Sequence, residues 1–184
     1  MLNKIYSKKE LTAFLTRELL ENKVGVIVDE AMPQDSYIAI DIDEYYHRMV
    51  PAPTPAIADL ILVAQRLSYK DQYHIYIIEM KNISSPHYFT VKNIYEKFHT
   101  AVDDFIKKKY ADIFLDEKYQ VKKFRLFFVS DAYRLRQKGF TKEQIRSYLL
   151  ETKIMAFQSL PVFHYRNFNA IIEYQLPNPS LEWF

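Results

Sequence analysis

Glu79 and Lys81 stand two residues apart at the end of the apolar run His74-Ile75-Tyr76-Ile77-Ile78, and Asp59 lies twenty positions before Glu79. Taking a charge out of water is costly unless it is paired or bound to a metal, so a buried strand that finishes on Glu-Met-Lys has a chemical reason to do so. Residues two apart on a strand share a face. Glu79 and Lys81 therefore project side by side, and Asp59 from a neighbouring strand completes a set of two carboxylates and an ammonium. Such a set suits metal-assisted phosphodiester hydrolysis, in which carboxylates hold Mg²⁺ or Mn²⁺ through oxygen and a cation stabilises the charge building on phosphorus. Asp59 and Glu79 are the candidate metal ligands, and the Met80 backbone carbonyl is a further one. Lys81 is placed to orient or help deprotonate the attacking water.

The elements that must position these groups can be read around them. Residues 58–67 and 73–83 read as strands joined by the polar turn 68–72, an antiparallel hairpin in which Asp59 and Glu79 can sit opposite one another. Upstream, Ser7 and Glu10 have capping-box spacing, and Leu11, Phe14, Leu15 and Leu19 recur at helical spacing, which predicts a first helix over about 8–22. Residues 24–28 and 37–43 read as strands. Asp41, Asp43 and Glu44 then fall on the solvent face of a strand or form a second acidic patch. Three prolines make 50–55 a stiff loop. Downstream, Val91, Ile94, Phe98, Ala101, Val102, Phe105 and Ile106 mark a long amphipathic helix, and 124–129 is a short apolar strand. Thr141 with Gln144 opens a helix to about residue 155. Final strands at 162–165 and 170–176 precede a tail ending in Trp183-Phe184.

Composition narrows the classes. The chain has 184 residues, 49% of them apolar and 16% aromatic, which suits one domain over 1–184 with a sizeable core. Two glycines disfavour a phosphate-cradling Gly-rich loop, and no cysteine means no disulfide, thiol nucleophile or Cys-ligated zinc. The five histidines lack paired ligand spacing. No segment has the length of a membrane span and residues 1–10 lack a secretion-signal pattern, so the chain reads as cytoplasmic with no membrane partner. Net charge is +2, but residues 1–64 carry −4 and residues 118–153 carry +7. Within the basic stretch, Lys122, Lys123, Arg125, Arg134, Arg136 and Lys138 interleave with Tyr119, Phe124 and Tyr133, residue types that neutralise phosphates and stack bases. The plainer reading is a solvated basic face over core aromatics. His87, in the loop after Lys81, reads either as an ordinary loop histidine or as another substrate contact.

Asp59, followed by the strand ending Ile77-Ile78-Glu79-Met80-Lys81, resembles the PD-(D/E)xK nuclease superfamily, and the resemblance spans about residues 8–155. It implies an α/β, restriction-endonuclease-like three-layer core with a central mixed β-sheet flanked by helices, leaving 156–184 as C-terminal strands and tail. It also implies Asp59 and Glu79 as metal ligands and Lys81 as the catalytic lysine. Ala58 departs from the proline that often precedes the family's first acid; the nearest here is Pro55. Many members place a first-helix glutamate near the metal, and Glu18, which falls on the apolar stripe of the predicted helix, is the choice here, ahead of Glu21. The implied function is a Mg²⁺- or Mn²⁺-dependent endonuclease acting on DNA, in restriction or genome defence. Double-strand cutting implies a homodimer, with the tail over 176–184 as a candidate contact. The alternatives are an RNA-cleaving or branched-DNA-resolving nuclease of the same superfamily, or a non-catalytic nucleic-acid-binding or assembly subunit with this fold.

Overall fold

The computed structural model describes residues 1–21, 24–83, 90–149 and 152–181. Two short helices, α1 (Leu2–Ser7) and α2 (Lys9–Thr12), lead into strands β1 (Leu15–Thr16), β2 (Leu20–Glu21), β3 (Val24–Gly25) and β4 (Tyr37–Asp41), and then helix α3 (Ile42–Met49). The hairpin follows as β5 (Leu60–Gln65) and β6 (Gln72–Met80). Helix α4 (Val91–His99) continues in a wider π-helical winding through Lys109 and is followed by α5 (Ala111–Phe114), β7 (Gln120–Val129) and α6 (Lys142–Leu149). Strands β8 (Phe163–Tyr165), β9 (Phe168–Ala170) and β10 (Ile172–Gln175) close the order. Among the described residues no helix is long and apolar enough to cross a membrane.

Six strands form one mixed sheet in the order β1-β4-β5-β6-β7-β10. The pairs from β1 to β6 are antiparallel, whereas β6–β7 and β7–β10 are parallel. A parallel pair needs a crossover, and α4 with its continuation and α5 supplies the one between β6 and β7. Ile75 and Ile77 of β6 join the larger core, to which all six helices contribute, while Tyr76, Ile78 and Met80 face a smaller one. That second face is covered by Leu19, Val24, Val26, Met32 and Leu181. The protein is thus α/β with a mixed sheet flanked by helices, but among the described residues the second face carries a β2–β3 ribbon instead of helices. Gly25 lets this ribbon close, since a Cβ there would stand 2.1 Å from the Leu19 carbonyl oxygen. The segment after β10 zips onto the ribbon, with Asn178 N–H donating to Gly25 O (2.8 Å) and Leu181 N–H to Ile27 O (3.1 Å).

Three sequence expectations need correction. The first helix does not run over 8–22: it breaks after Thr12, and Leu15 and Thr16 pair with Ile40 and Ala39 of β4. Ser7 does not cap it either, because its hydroxyl donates back to Lys4 O (2.9 Å). The spacing of Leu11 and Phe14 describes buried residues correctly, but edge pairing wins over helical propensity beyond them. The strand expected over 37–43 ends at Asp41, whose Oδ1 accepts from Glu44 N–H (2.8 Å) and caps α3. The helix expected over 141–155 does not run to its expected end: α6 spans Lys142–Leu149 with Thr141 and Gln144 forming the capping box, and a separate 3₁₀ segment capped by Thr152 spans Lys153–Ser159.

Candidate active site

The β5–β6 pairing ends with Leu60 against Ile78, and Asp59 and Glu79 are the residues just beyond that last pair. By strand alternation Glu79 and Lys81 lie on the Ile77 side of the sheet, the side that α4 covers. Backbone ties fix Asp59 from two directions. Its carbonyl accepts from Ile42 N–H (3.0 Å) at the start of α3, and its Oδ2 accepts from Met80 N–H.

The centre of the site is a contact the hairpin alone does not reveal. Lys97 of α4 places Nζ 2.7 Å from Glu79 Oε1, 2.9 Å from Glu79 Oε2 and 3.9 Å from Asp59 Oδ1. The Glu79 side chain is only 2% exposed and that of Lys97 21%. Burial, the largest influence, pushes the Glu79 carboxyl above its ordinary range, against the pull of Lys97, Lys81 and a hydrogen bond shared with Asp59. Burial also works to lower the Lys97 pKa, but the Glu79 and Asp59 charges outweigh it and leave that ammonium above its ordinary value. Lys81 is half-buried and, among the described residues, has no ion-pair partner within 4 Å.

These groups open into a cleft of about 640 Å³ whose wall also carries Thr16, Glu18, Asp41 and Asp43. Glu18 is exposed, on a turn in which its N–H donates to Thr16 Oγ1 (2.9 Å), and so reaches the cleft from a loop and not from a core-facing helix stripe. Asp41 and Asp43 belong to this same cleft, not to a separate patch, and burial foremost raises the Asp41 pKa. Five carboxylates against two lysines make the cleft an attractor for cations.

Among the described residues no three of His, Asp and Glu gather closely enough to hold one metal ion. The pair still suits one hard cation. Three carboxylate oxygens already surround a cationic nitrogen, and Mg²⁺ is ordinarily held by one or two carboxylates with waters completing its shell. Met80 lines the cleft beside the pair, with its side chain in the smaller core.

The basic set is dispersed. Lys122 and Lys123 sit near the start of β7, where Lys123 pairs with His74, about 16 Å along the strand from the Phe128 that pairs with Glu79. Arg125 is engaged with Glu173 of β10, Nε donating to Oε1 (2.6 Å) and Nη2 to Oε2. Arg136 donates to Pro177 O (2.9 Å). Arg134 and Lys138 are exposed beyond the end of β7 that lies nearer the acids. His87 and the Trp183-Phe184 end lie outside the described residues, as do the Glu21 side chain and the stretch 84–89 that follows Ile83.

No protein-family model, curated protein or solved structure matches the chain.

Sequence reasoning missed Lys97, Asp41 and Asp43 as cleft residues. Lys97 stands three after Ile94 and four before Ala101, on the apolar stripe of α4, where a lysine needs a buried anion. Asp41, with Glu44 three residues later, carries the spacing of a helix start.

Proposed function

We propose that the chain is a divalent-metal-dependent phosphodiesterase of the restriction-endonuclease-like kind, cutting DNA. The observation that carries this reading is the register alignment of Asp59 with Glu79 at the mouth of β5–β6, with Lys81 two residues on and facing the same cleft. The antiparallel hairpin, helical crossover and parallel β7 accord with the fold that the Asp59 and Glu79-Met80-Lys81 resemblance implies.

Asp59 and Glu79 are the residues to hold the ion, with the Met80 carbonyl and Glu18 at the cleft wall as further oxygen donors. A bound Mg²⁺ or Mn²⁺ supplies charge neutralisation at the phosphate and a coordinated water of lowered pKa. Lys81, free of any carboxylate partner among the described residues, has its ammonium available to orient water or to donate to a phosphate oxygen as negative charge grows there. Arg134 and Lys138 are the cations left to follow the backbone of the nucleic acid. A double-strand cut calls for two copies of the chain.

The test is cleavage of plasmid, single-stranded DNA and RNA with Mn²⁺ by wild type and Lys81→Ala. Metal-dependent cutting of DNA that the substitution abolishes supports the reading; cutting of RNA alone changes the substrate. Undiminished cutting by Lys81→Ala, or none by wild type, defeats it. One observation favours a second reading. Lys97 already pairs with the acids, as it would in a nucleic-acid-binding or assembly subunit, and such a subunit binds DNA without cutting it.

A further inference from the structure

The Lys97 ammonium lies against both Glu79 oxygens and faces Asp59 Oδ1, which is the position from which one cation contacts both acids. Two cations cannot share it, because like charges in a partly buried site repel strongly. We infer that Lys97 is a resident cation that holds the acid pair in the metal-free protein and must swing away for a divalent ion to enter. The inference rests on the metal-dependent reading above and adds to it an ion-exchange step carried by a residue of α4.

Several observations fix which partner moves. Glu79 is 2% exposed and sits within a paired strand, whereas Lys97 is 21% exposed on a flexible four-carbon stem. Asp59, though 17% exposed, is anchored at its Oδ2 by Met80 N–H and at its carbonyl by the backbone of α3, which leaves the lysine as the member free to swing. It also has somewhere to go: Asp43 lines the same cleft, and its charge already attracts the Lys97 ammonium. The exchange keeps a cation against the buried Glu79 in both states, so its carboxylate is never left without a partner when metal is scarce. Metal affinity is correspondingly weaker than the bare acid pair would give. In this scheme Lys97 is a positioning residue and Lys81 remains the one facing substrate.

The experiment is calorimetric titration of Mn²⁺ into wild type, Lys97→Met, Lys97→Gln, Lys97→Arg and Asp59→Asn, with thermal melts with and without Mn²⁺. The Met and Gln variants are expected to bind Mn²⁺ about tenfold or more tightly than wild type, the relief of a like charge. Their melting temperatures should also rise more steeply with added Mn²⁺. Lys97→Arg is expected to stay at or below wild-type affinity, and Asp59→Asn to lose binding. Equal or weaker binding by both neutral variants, with wild type still binding, overturns the exchange and leaves the nuclease reading standing. Absence of Mn²⁺ binding throughout overturns both. Where the neutral variants fold only with Mn²⁺ present, the ion has replaced the lysine, as inferred; failure to fold even then overturns the inference.

Discussion

Lys97 and Glu79 make one ion pair, 2.7 Å at its shortest, yet the two side chains differ tenfold in exposure, 21% against 2%. The pair is asymmetric in consequence. Removing the lysine strands a buried carboxylate, whereas removing the glutamate charge leaves an ammonium that still faces Asp59 and can reach water. Lys97→Met should cost about 3 kcal/mol of stability in the presence of chelator, and Glu79→Gln about 1 kcal/mol. Urea denaturation of both variants checks this, and equal losses would show that the exposure difference carries no energetic weight.

Lys81 should behave in the opposite way to Lys97. With no ion-pair partner among the described residues, Lys81→Ala should alter stability by less than about 0.5 kcal/mol. Single-turnover cleavage should nonetheless fall by roughly a hundredfold or more, the scale of a lost proton-transfer or charge-stabilising group. A melt and a cleavage time course on the same preparation separate the two effects.

The dispersed basic residues should divide in function. Arg125 is spent on Glu173, both side chains partly buried, and joins β7 to the edge strand β10. Arg125→Ala should therefore lower stability by about 1 kcal/mol while leaving the salt dependence of DNA binding unchanged. Arg134→Ala combined with Lys138→Ala should leave stability alone and reduce the slope of log affinity against log salt by about 2. Titrations at several salt concentrations distinguish them, and a slope change in Arg125→Ala would return that residue to the substrate face.

Tyr165 supplies a pH signature remote from the cleft. It is fully buried and its hydroxyl donates to Phe114 O. Burial, against the opposing pull of Arg166, raises its pKa from 10.0 to about 12. Between those values the folded chain keeps a proton that the unfolded chain has lost, so this residue's contribution to stability declines as pH rises across the window. Tyr165→Phe should flatten the fall in stability from pH 10 to about 12, as read by denaturation at each pH. An unchanged slope would mean that the hydroxyl is not held as described.

The acid pair was legible because β-branched and aromatic residues marked both strands and an antiparallel hairpin can bring Asp59 near Glu79, although the turn bounds read from sequence would have set Asp59 against Lys81, two residues off the register observed. Glu18 was legible in kind but not in place. The stripe of Leu11 and Phe14 fits a helix, yet it fits equally a chain that buries the same residues and then leaves the helix to pair with β4, a long-range choice that local periodicity does not encode. Asp41 was hidden by the alternating isoleucines around it, which suggested a continuing strand although a capping residue was present. Lys97 was missed because a lysine inside an apolar stripe was passed over as part of a helical face. The clustering of basic residues in sequence likewise could not reveal that β7 carries some of them to opposite ends and that Glu173 claims another.

The crossover that brings α4 over the sheet also makes the two ends of the β5–β6 hairpin unequal. The closed end of the β5–β6 hairpin has its own local ties, Arg66 N–H donating to Gln72 O (2.9 Å) and Arg66 Nη1 to Gln72 Oε1 (2.6 Å). Its open end holds two acids face to face, and like charges opposite one another oppose pairing. The cation that offsets this is Lys97, and it comes from α4, outside the hairpin. The hairpin is thus not self-sufficient: its own turn holds one end, and the other depends on a lysine that the crossover brings over it.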